Sequence, residues 1–192
     1  MAEFLASLPL GQALPTGHHG AAGAGIVLRS FASQACTLVA GPNRAAVREK
    51  ARSGFAADLC DGPRLSSGSG VEFIGDGPGR WLVLAGGDDL AGRLEAAFAS
   101  AASVFEQTGG LVLLQAKGKD IGAVLAKLIP IDLHPAAFPV GAAATTTAAH
   151  VNLTIWRCEA GRWRFALGRS YLAAFLRAFS SAALEFGLDW AG

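Results

Sequence analysis

The chain has 192 residues and a formal net charge of +1, enough length to bury a sizeable core and no excess charge to draw it to nucleic acid or an anionic membrane. Charged residues make up 16%, against about 25% in soluble domains at large, so part of the surface is weakly charged. A face buried against other chains accounts for that, and so does a bias toward alanine.

Residues 1–14 lack a basic flank and a continuous apolar stretch, so no signal peptide is read there. Residues 1–24 end in a Gly/Ala-rich lead-in and are expected to form a flexible arm. His18 and His19 lie in it, with no Cys, Asp or Glu nearby in sequence to complete a metal site. Gly23-Ala24-Gly25 precedes a strand and lacks the dinucleotide and P-loop patterns, so it reads as a turn.

Strands are expected at 26–31 and 36–40, then a helix over 43–53 with Asn43 as its N-cap. Strands at 71–74 and 81–85, joined by a hairpin turn at Gly77-Pro78-Gly79, lead to a helix over 88–101. Further strands at 103–106 and 111–116 precede a helix over 119–128 capped by Asp120. The apolar stretch 140–156 is broken by threonines, His150 and Asn152, which rules out a membrane-spanning helix there. It reads as strands at 145–149 and 150–157, with another at 163–167.

The closing helix, 170–186, has the clearest periodicity. Leu172, Phe175, Leu176, Phe179, Ala183 and Phe186 form one apolar stripe, with Arg177, Ser181 and Glu185 opposite. Ser170 is its expected cap and Gly187 its stop. Each large side chain buried by this stripe contributes about 1.5–3 kcal/mol, so the helix should anchor the core.

The elements repeat. Arg80-Trp81-Leu82-Val83-Leu84-Ala85-Gly86 resembles Arg162-Trp163-Arg164-Phe165-Ala166-Leu167-Gly168, and at the same offset Leu90, Leu94 and Ala101 match Leu172, Leu176 and Ala183. Upstream, Asn43 with Ala46, Val47 and Lys50 matches Asp120 with Ala123, Val124 and Lys127. The expected fold is therefore α+β, with internally duplicated ββαββα units at about 25–102 and 103–187 in a single domain, since no linker separates them.

No complete catalytic site is read from the sequence. Cys36, Cys60 and Cys158 are odd in number and far apart, with no C-x-x-C pair. That argues for reduced thiols in a cytosolic protein and against a zinc knuckle or disulfide framework. The run 129–141 has three prolines yet carries Ile131, Leu133 and Phe138, and is either a packed structural loop or a binding surface. Asp132 and His134 have the chemistry of an acid/base dyad, but no nucleophile is tied to them. Asp132, His134 and Phe138 are the candidate interface residues.

The run Pro130-Ile131-Asp132-Leu133-His134-Pro135-Ala136-Ala137-Phe138-Pro139 resembles the gamma subunit of heterotetrameric sarcosine oxidase. The resemblance continues through Ala149-His150, Trp156-Arg157 and Arg169-Ser170-Tyr171. Leu14-Pro15, Gly17 to Gly20 and Arg80-Trp81 extend it over nearly the whole chain. It implies a duplicated ferredoxin-like architecture like the folate-binding domain of aminomethyltransferases. It also implies a bacterial, cytoplasmic complex in which sarcosine is demethylated at FAD, electrons pass to FMN and oxygen, and the methyl carbon leaves as formaldehyde or on tetrahydrofolate. FAD, FMN, NAD and tetrahydrofolate are then expected in the alpha and beta subunits, zinc in the delta subunit, and no cofactor in this chain. A homodimer of the isolated chain is compatible with its weakly charged surface.

Aminomethyltransferases carry a pair of Asp residues entering the strand that here reads Val151-Asn152-Leu153-Thr154-Ile155. Asn152 can hydrogen-bond but cannot take a proton at neutral pH. Glu106 stands near an acidic position of that family, while Thr108-Gly109-Gly110 departs from its Ser-Asp-Gly. The resemblance thus implies a non-catalytic scaffolding subunit, and the alternative is a stand-alone folate-binding or one-carbon transfer protein.

Overall fold

The computed structural model describes residues 14–23 and 25–192, so most of the expected N-terminal arm lies outside the described residues. In chain order the elements are strands β1 (Gly17–His19), β2 (Ile26–Ser30) and β3 (Gln34–Ala40), helix α1 (Arg44–Phe55), strands β4 (Leu65–Gly68), β5 (Val71–Gly77) and β6 (Arg80–Ala85), and helix α2 (Leu90–Phe98). Strands β7 (Ala102–Glu106) and β8 (Leu111–Lys117) precede helix α3 (Ile121–Leu128). Strands β9 (Ala143–Ala148), β10 (Val151–Glu159) and β11 (Arg162–Gly168) lead to helix α4 (Leu172–Ala183) and strand β12 (Leu188–Trp190). No helix among the described residues is long and apolar enough to cross a membrane.

The described residues divide into two compact units, one formed by Ser33–Leu111 with Gly141–Thr145, the other by the described residues up to Ala32 with Val112–Val140 and Thr146–Gly192. The first holds a five-stranded sheet in the order β4-β5-β6-β3-β7, antiparallel at each pairing. Strand alternation sends Cys36 and Leu38, Phe73, and Trp81 and Val83 to one face, where Val47, Ala51 and Phe55 of α1 and Leu90, Leu94 and Phe98 of α2 join them in one core. Phe55, Phe73 and Phe98 form its centre, with ring centroids 5.7, 5.9 and 6.4 Å apart. On the opposite face Ala35, Ile74, Leu82 and Leu84 are also buried. Gly75 sits at a register shift between β5 and β6, where a Cβ would collide with the Gly62 carbonyl oxygen.

The second unit holds a seven-stranded sheet, β1-β12-β2-β8-β11-β10-β9, with β12 and β2 running parallel. Leu172, Phe175, Leu176, Phe179 and Ala183 of α4 are all buried. Phe175 and Phe179 lie with their ring centroids 5.7 and 6.3 Å from that of Phe165 on β11. The stripe read from the sequence is the buried face of this helix.

The units share an element order, β3-α1-β4-β5-β6-α2-β7 in one and β8-α3-β9-β10-β11-α4-β12 in the other. This corrects the expected ββαββα copies. Residues 103–106, assigned to the second copy, belong to β7, which pairs with β3. Residues 26–31, assigned to the first copy, hold β2, which pairs with β8 in the other sheet. Beside β3 lies β7, whereas beside β8 lies β2, followed by β12 and β1.

Three local expectations also change. Asn43 caps α1 as expected, its Oδ1 accepting from the Ala46 N–H at 3.1 Å, but the Asp120 side chain makes no cap bond to α3. Ser170 lies inside a 3-10 turn, Arg169–Tyr171, and α4 starts at Leu172 without a side-chain cap. The described part of the expected flexible arm is tied down: β1 pairs with β12, and His18 bonds Asp189.

Candidate functional site

The proline-rich run is built as a packed loop. Helix α3 stops at Leu128, because Pro130 restricts Ile129 to an extended conformation. Asp132 Oδ1 accepts from the His134 main-chain N–H at 2.9 Å, and His134 Nδ1 accepts from the Ala136 N–H at 3.3 Å. The His134 carbonyl then accepts from the N–H groups of Ala137 and Phe138 at 2.9 and 2.8 Å. Asp132 and His134 therefore both work as turn formers, and no bond joins the carboxylate to the ring. The acid/base dyad that these residue types would allow does not form, and the run is the packed structural loop.

Phe138 closes the loop inward. Its side chain is buried to 6% exposure and its ring stacks on Trp163 at 5.3 Å. Its carbonyl accepts from Arg157 Nη1 at 3.0 Å, and the Arg157 guanidinium lies 5.3 Å from the Trp163 ring centroid. Arg157 is buried, and no carboxylate lies within ion-pair distance of it among the described residues. As an interface candidate Phe138 is thus spent inside its own unit, while Asp132 and His134 remain exposed. Sequence reasoning missed Arg157, because a charged residue in a strand reads as a solvent-facing position.

Strand β10, which opens with Val151 and Asn152, follows a tight turn. Ala149 and His150, between β9 and β10, both have positive φ, 47° and 70°, the signature of a type I′ hairpin. Beyond the turn Val151 is buried and Asn152 exposed. At these two positions the strand is apolar on one face and uncharged on the other, and neither Val151 nor Asn152 can take a proton at neutral pH.

The first unit contains a cavity of about 280 Å³ lined by Arg44, Asp61, Asp76, Pro63, Pro78 and Thr145 together with glycines. Asp61 accepts from the Gly79 N–H at 2.8 Å and from Arg44 Nη1 at 2.6 Å. The Gly79 N–H and the Arg44 guanidinium together hold its carboxyl below the usual carboxylate range. Asp76 is paired with Arg80 at 2.5 Å. Both carboxylates lining the cavity are thus ion-paired with arginines.

The remaining candidates are also accounted for. His18 uses Nδ1 on Asp189 and Nε2 on the Ala21 carbonyl, each at 2.8 Å, and His19 Nε2 meets the Pro15 carbonyl at 2.7 Å. Cys36 is buried, and burial first, then Glu106 and Glu95, push its thiol up to about 11. Thr108 Oγ1 accepts from the Ala35 N–H at 3.1 Å, fixing the turn after β7, and Glu106 is exposed. Among the described residues no three His, Cys, Asp or Glu side chains gather closely enough to hold a metal ion.

Comparison with known proteins gives this geometry its family. The sarcosine oxidase, gamma subunit family matches residues 64–185, well over half of the chain. The chain belongs to the sarcosine oxidase gamma subunit family. It is 32% identical over 121 residues to the sarcosine oxidase subunit gamma of Corynebacterium sp. (strain P-1), covering 62% of this chain and 59% of that one. To the sarcosine oxidase subunit gamma of Arthrobacter sp it is 33% identical over 104 residues, covering 53% and 51%. The chain thus matches between half and three fifths of the length of these curated relatives.

Among solved structures, a chain of the heterotetrameric sarcosine oxidase from Corynebacterium sp. U-96, in complex with pyrrole 2-carboxylate, superposes with a TM-score of 0.78 at 25% identity. The match covers 96% of this chain and 94% of that one. The glycine cleavage system aminomethyltransferase T from Bartonella henselae shares the fold, with a TM-score of 0.60 at 15% identity, over 88% of this chain and 48% of that one. The mixed α+β architecture is therefore aminomethyltransferase-like.

Proposed function

We propose that this gamma-family chain is a non-catalytic, scaffolding subunit of a heterotetrameric, cytoplasmic flavoenzyme of the sarcosine oxidase type. Its partners are the alpha, beta and delta subunits, which hold FAD, FMN, NAD, tetrahydrofolate and zinc and carry out the oxidative demethylation. The observation that carries this reading is the state of the 151–152 position. An aminomethyltransferase-like fold stands there with Val151 buried and Asn152 exposed, where one-carbon transfer needs an ionised carboxylate. The carboxylates lining the cavity, Asp61 and Asp76, are neutralised by arginines, and Asp132 and His134 are consumed in a turn. What remains is a folded chain with low surface charge, which suits permanent contact with other subunits.

A second reading has one observation in its favour, the shared fold with an aminomethyltransferase. It makes the chain a stand-alone folate-binding or one-carbon transfer protein. Calorimetry separates the two. The purified chain is expected to be colourless and to release no heat on titration with tetrahydrofolate; saturable binding in the micromolar range would establish the second reading instead.

A further inference from the structure

Strand β7 is the last strand on its side of the five-stranded sheet. Its register on β3 pairs Thr37 with Phe105 and Val39 with Ser103. The bonds Gly41 N–H to Ala101 O and Gln107 N–H to Ala35 O, 2.8 and 2.7 Å, fix which backbone groups face inward. By the alternation of an antiparallel ladder, Ser103 and Phe105 exchange their bonds with β3. The N–H and C=O groups of Val104 and Glu106 therefore point away from the sheet, and no strand lies on that side among the described residues.

Natural sheets blunt such edges with lysine, proline, bulges or a covering segment. The opposite edge of this sheet follows that rule: the start of β4 bonds Gly141, with Leu65 N–H to Gly141 O at 2.8 Å, and Ala143 N–H reaches Pro63 O at 2.8 Å. The sequence of β7, Ala-Ser-Val-Phe-Glu, has no proline and no lysine. In the sister unit β8, which holds the place of β3, has β2, β12 and β1 in succession on the corresponding side. The same arrangement there accepts more strands, and here it stops at one.

The two faces of this edge differ in chemistry. On the face away from the helices Phe105 is 53% exposed beside Val39, itself 36% exposed. On the helix face Glu106 stands opposite Cys36, and the fields of both Glu106 and Glu95 reach that buried thiol. Neither carboxylate has a cation within ion-pair distance among the described residues. A strand added here meets open hydrogen-bonding groups along its length, an apolar surface on one side and two unpaired carboxylates on the other.

We propose that the outer edge of β7 receives an extended segment of a partner subunit, which pairs with Val104 and Glu106, lays an apolar side chain over Phe105 and Val39, and turns a lysine or arginine toward Glu106 and Glu95. This rests on the reading of the chain as a subunit and names the surface through which it assembles. Single-strand addition takes its affinity from the main chain and its selectivity from the alternating side chains. The basic and apolar alternation is the feature that distinguishes the right partner segment from others.

The test uses the full chain co-expressed with the alpha, beta and delta chains, followed by size exclusion and by hydrogen–deuterium exchange of the purified complex. On assembly, exchange at the Val104 and Glu106 amides is expected to slow by about tenfold or more. Phe105→Asp should weaken association by about tenfold or more, and Glu106→Lys less, while the isolated variants melt at the wild-type temperature because both side chains are exposed. Leu184→Asp, at an exposed apolar position on the other unit, is the control expected to assemble normally. Normal assembly of Phe105→Asp with unprotected Val104 and Glu106 amides would overturn the edge while leaving the subunit reading intact. Failure of the wild-type chain to associate with any of the three would overturn both. A concentration-dependent homodimer abolished by Phe105→Asp would assign the edge to a second copy and refute the partner segment.

Discussion

The Arg157 guanidinium donates from Nη1 to the Phe138 carbonyl at 3.0 Å, and through this bond strand β10 holds the proline-rich loop in place. Because Arg157 is buried without a carboxylate, its bond to a main-chain oxygen and its contact with Trp163 carry its stabilising role. Arg157→Ala should cost about 2–3 kcal/mol by urea unfolding, since it leaves the carbonyl unpaired and opens space beside Trp163. Arg157→Met should cost less, because it keeps the volume. Both should speed deuterium exchange at Ala136, Ala137 and Phe138.

The two matching helix starts are expected to respond differently to the same change. Asn43→Ala removes a side-chain acceptor for the Ala46 N–H and should cost about 1 kcal/mol. Asp120→Ala removes no cap bond and should leave stability within about 0.5 kcal/mol. Parallel denaturant titrations of the two variants check this.

Asp61 makes stability depend on acid. Its folded-state pKa is depressed, first by the Gly79 N–H and next by Arg44. Its contribution is therefore complete above the unfolded carboxylate value, about 3.9, and is lost as pH falls through the lower folded value. Asp61→Asn should lower stability by about 1 kcal/mol at neutral pH and flatten the decline below about pH 4. Urea unfolding of both proteins across pH 2.5–7 (about one unit apart) gives the comparison.

His18 has the opposite sign. Its bonds to Asp189 and to the Ala21 carbonyl raise its pKa, so its contribution is present below the unfolded value and fades as pH rises through the folded one. Protection factors across β1 and β12, which take out the intrinsic base-catalysed rise of amide exchange with pH, should fall on going from acid to alkaline pH around the histidine range. His18→Gln should abolish that dependence.

Most of the individual elements were legible in the sequence because their periodicity is intrinsic to them. The repeated Arg-Trp openings mark β6 and β11, and the stripe from Leu172 to Ala183 marks α4. Strands β1, β4 and β12 were not legible: they are three or four residues long, and Leu65–Gly68 has no apolar alternation. Pairing was not legible either, since the pattern of a strand shows which face is buried and not which neighbour it joins. That is why β2 and β7 were assigned to the wrong copies. At the site, the uncharged pair Val151 and Asn152 could be read directly from the residues, whereas the turn built by Asp132 and His134 and the reach of Arg157 depend on tertiary contacts.

On the proposed function, this chain acts within an assembly and not alone. The most direct test is size exclusion of the chain co-expressed with the alpha, beta and delta chains, with sarcosine oxidation measured across the column. The expected result is one peak holding all four chains, the flavin absorbance and the activity, and a colourless, inactive chain when it is expressed by itself. A chain that elutes apart from the active flavin-containing peak would contradict the account.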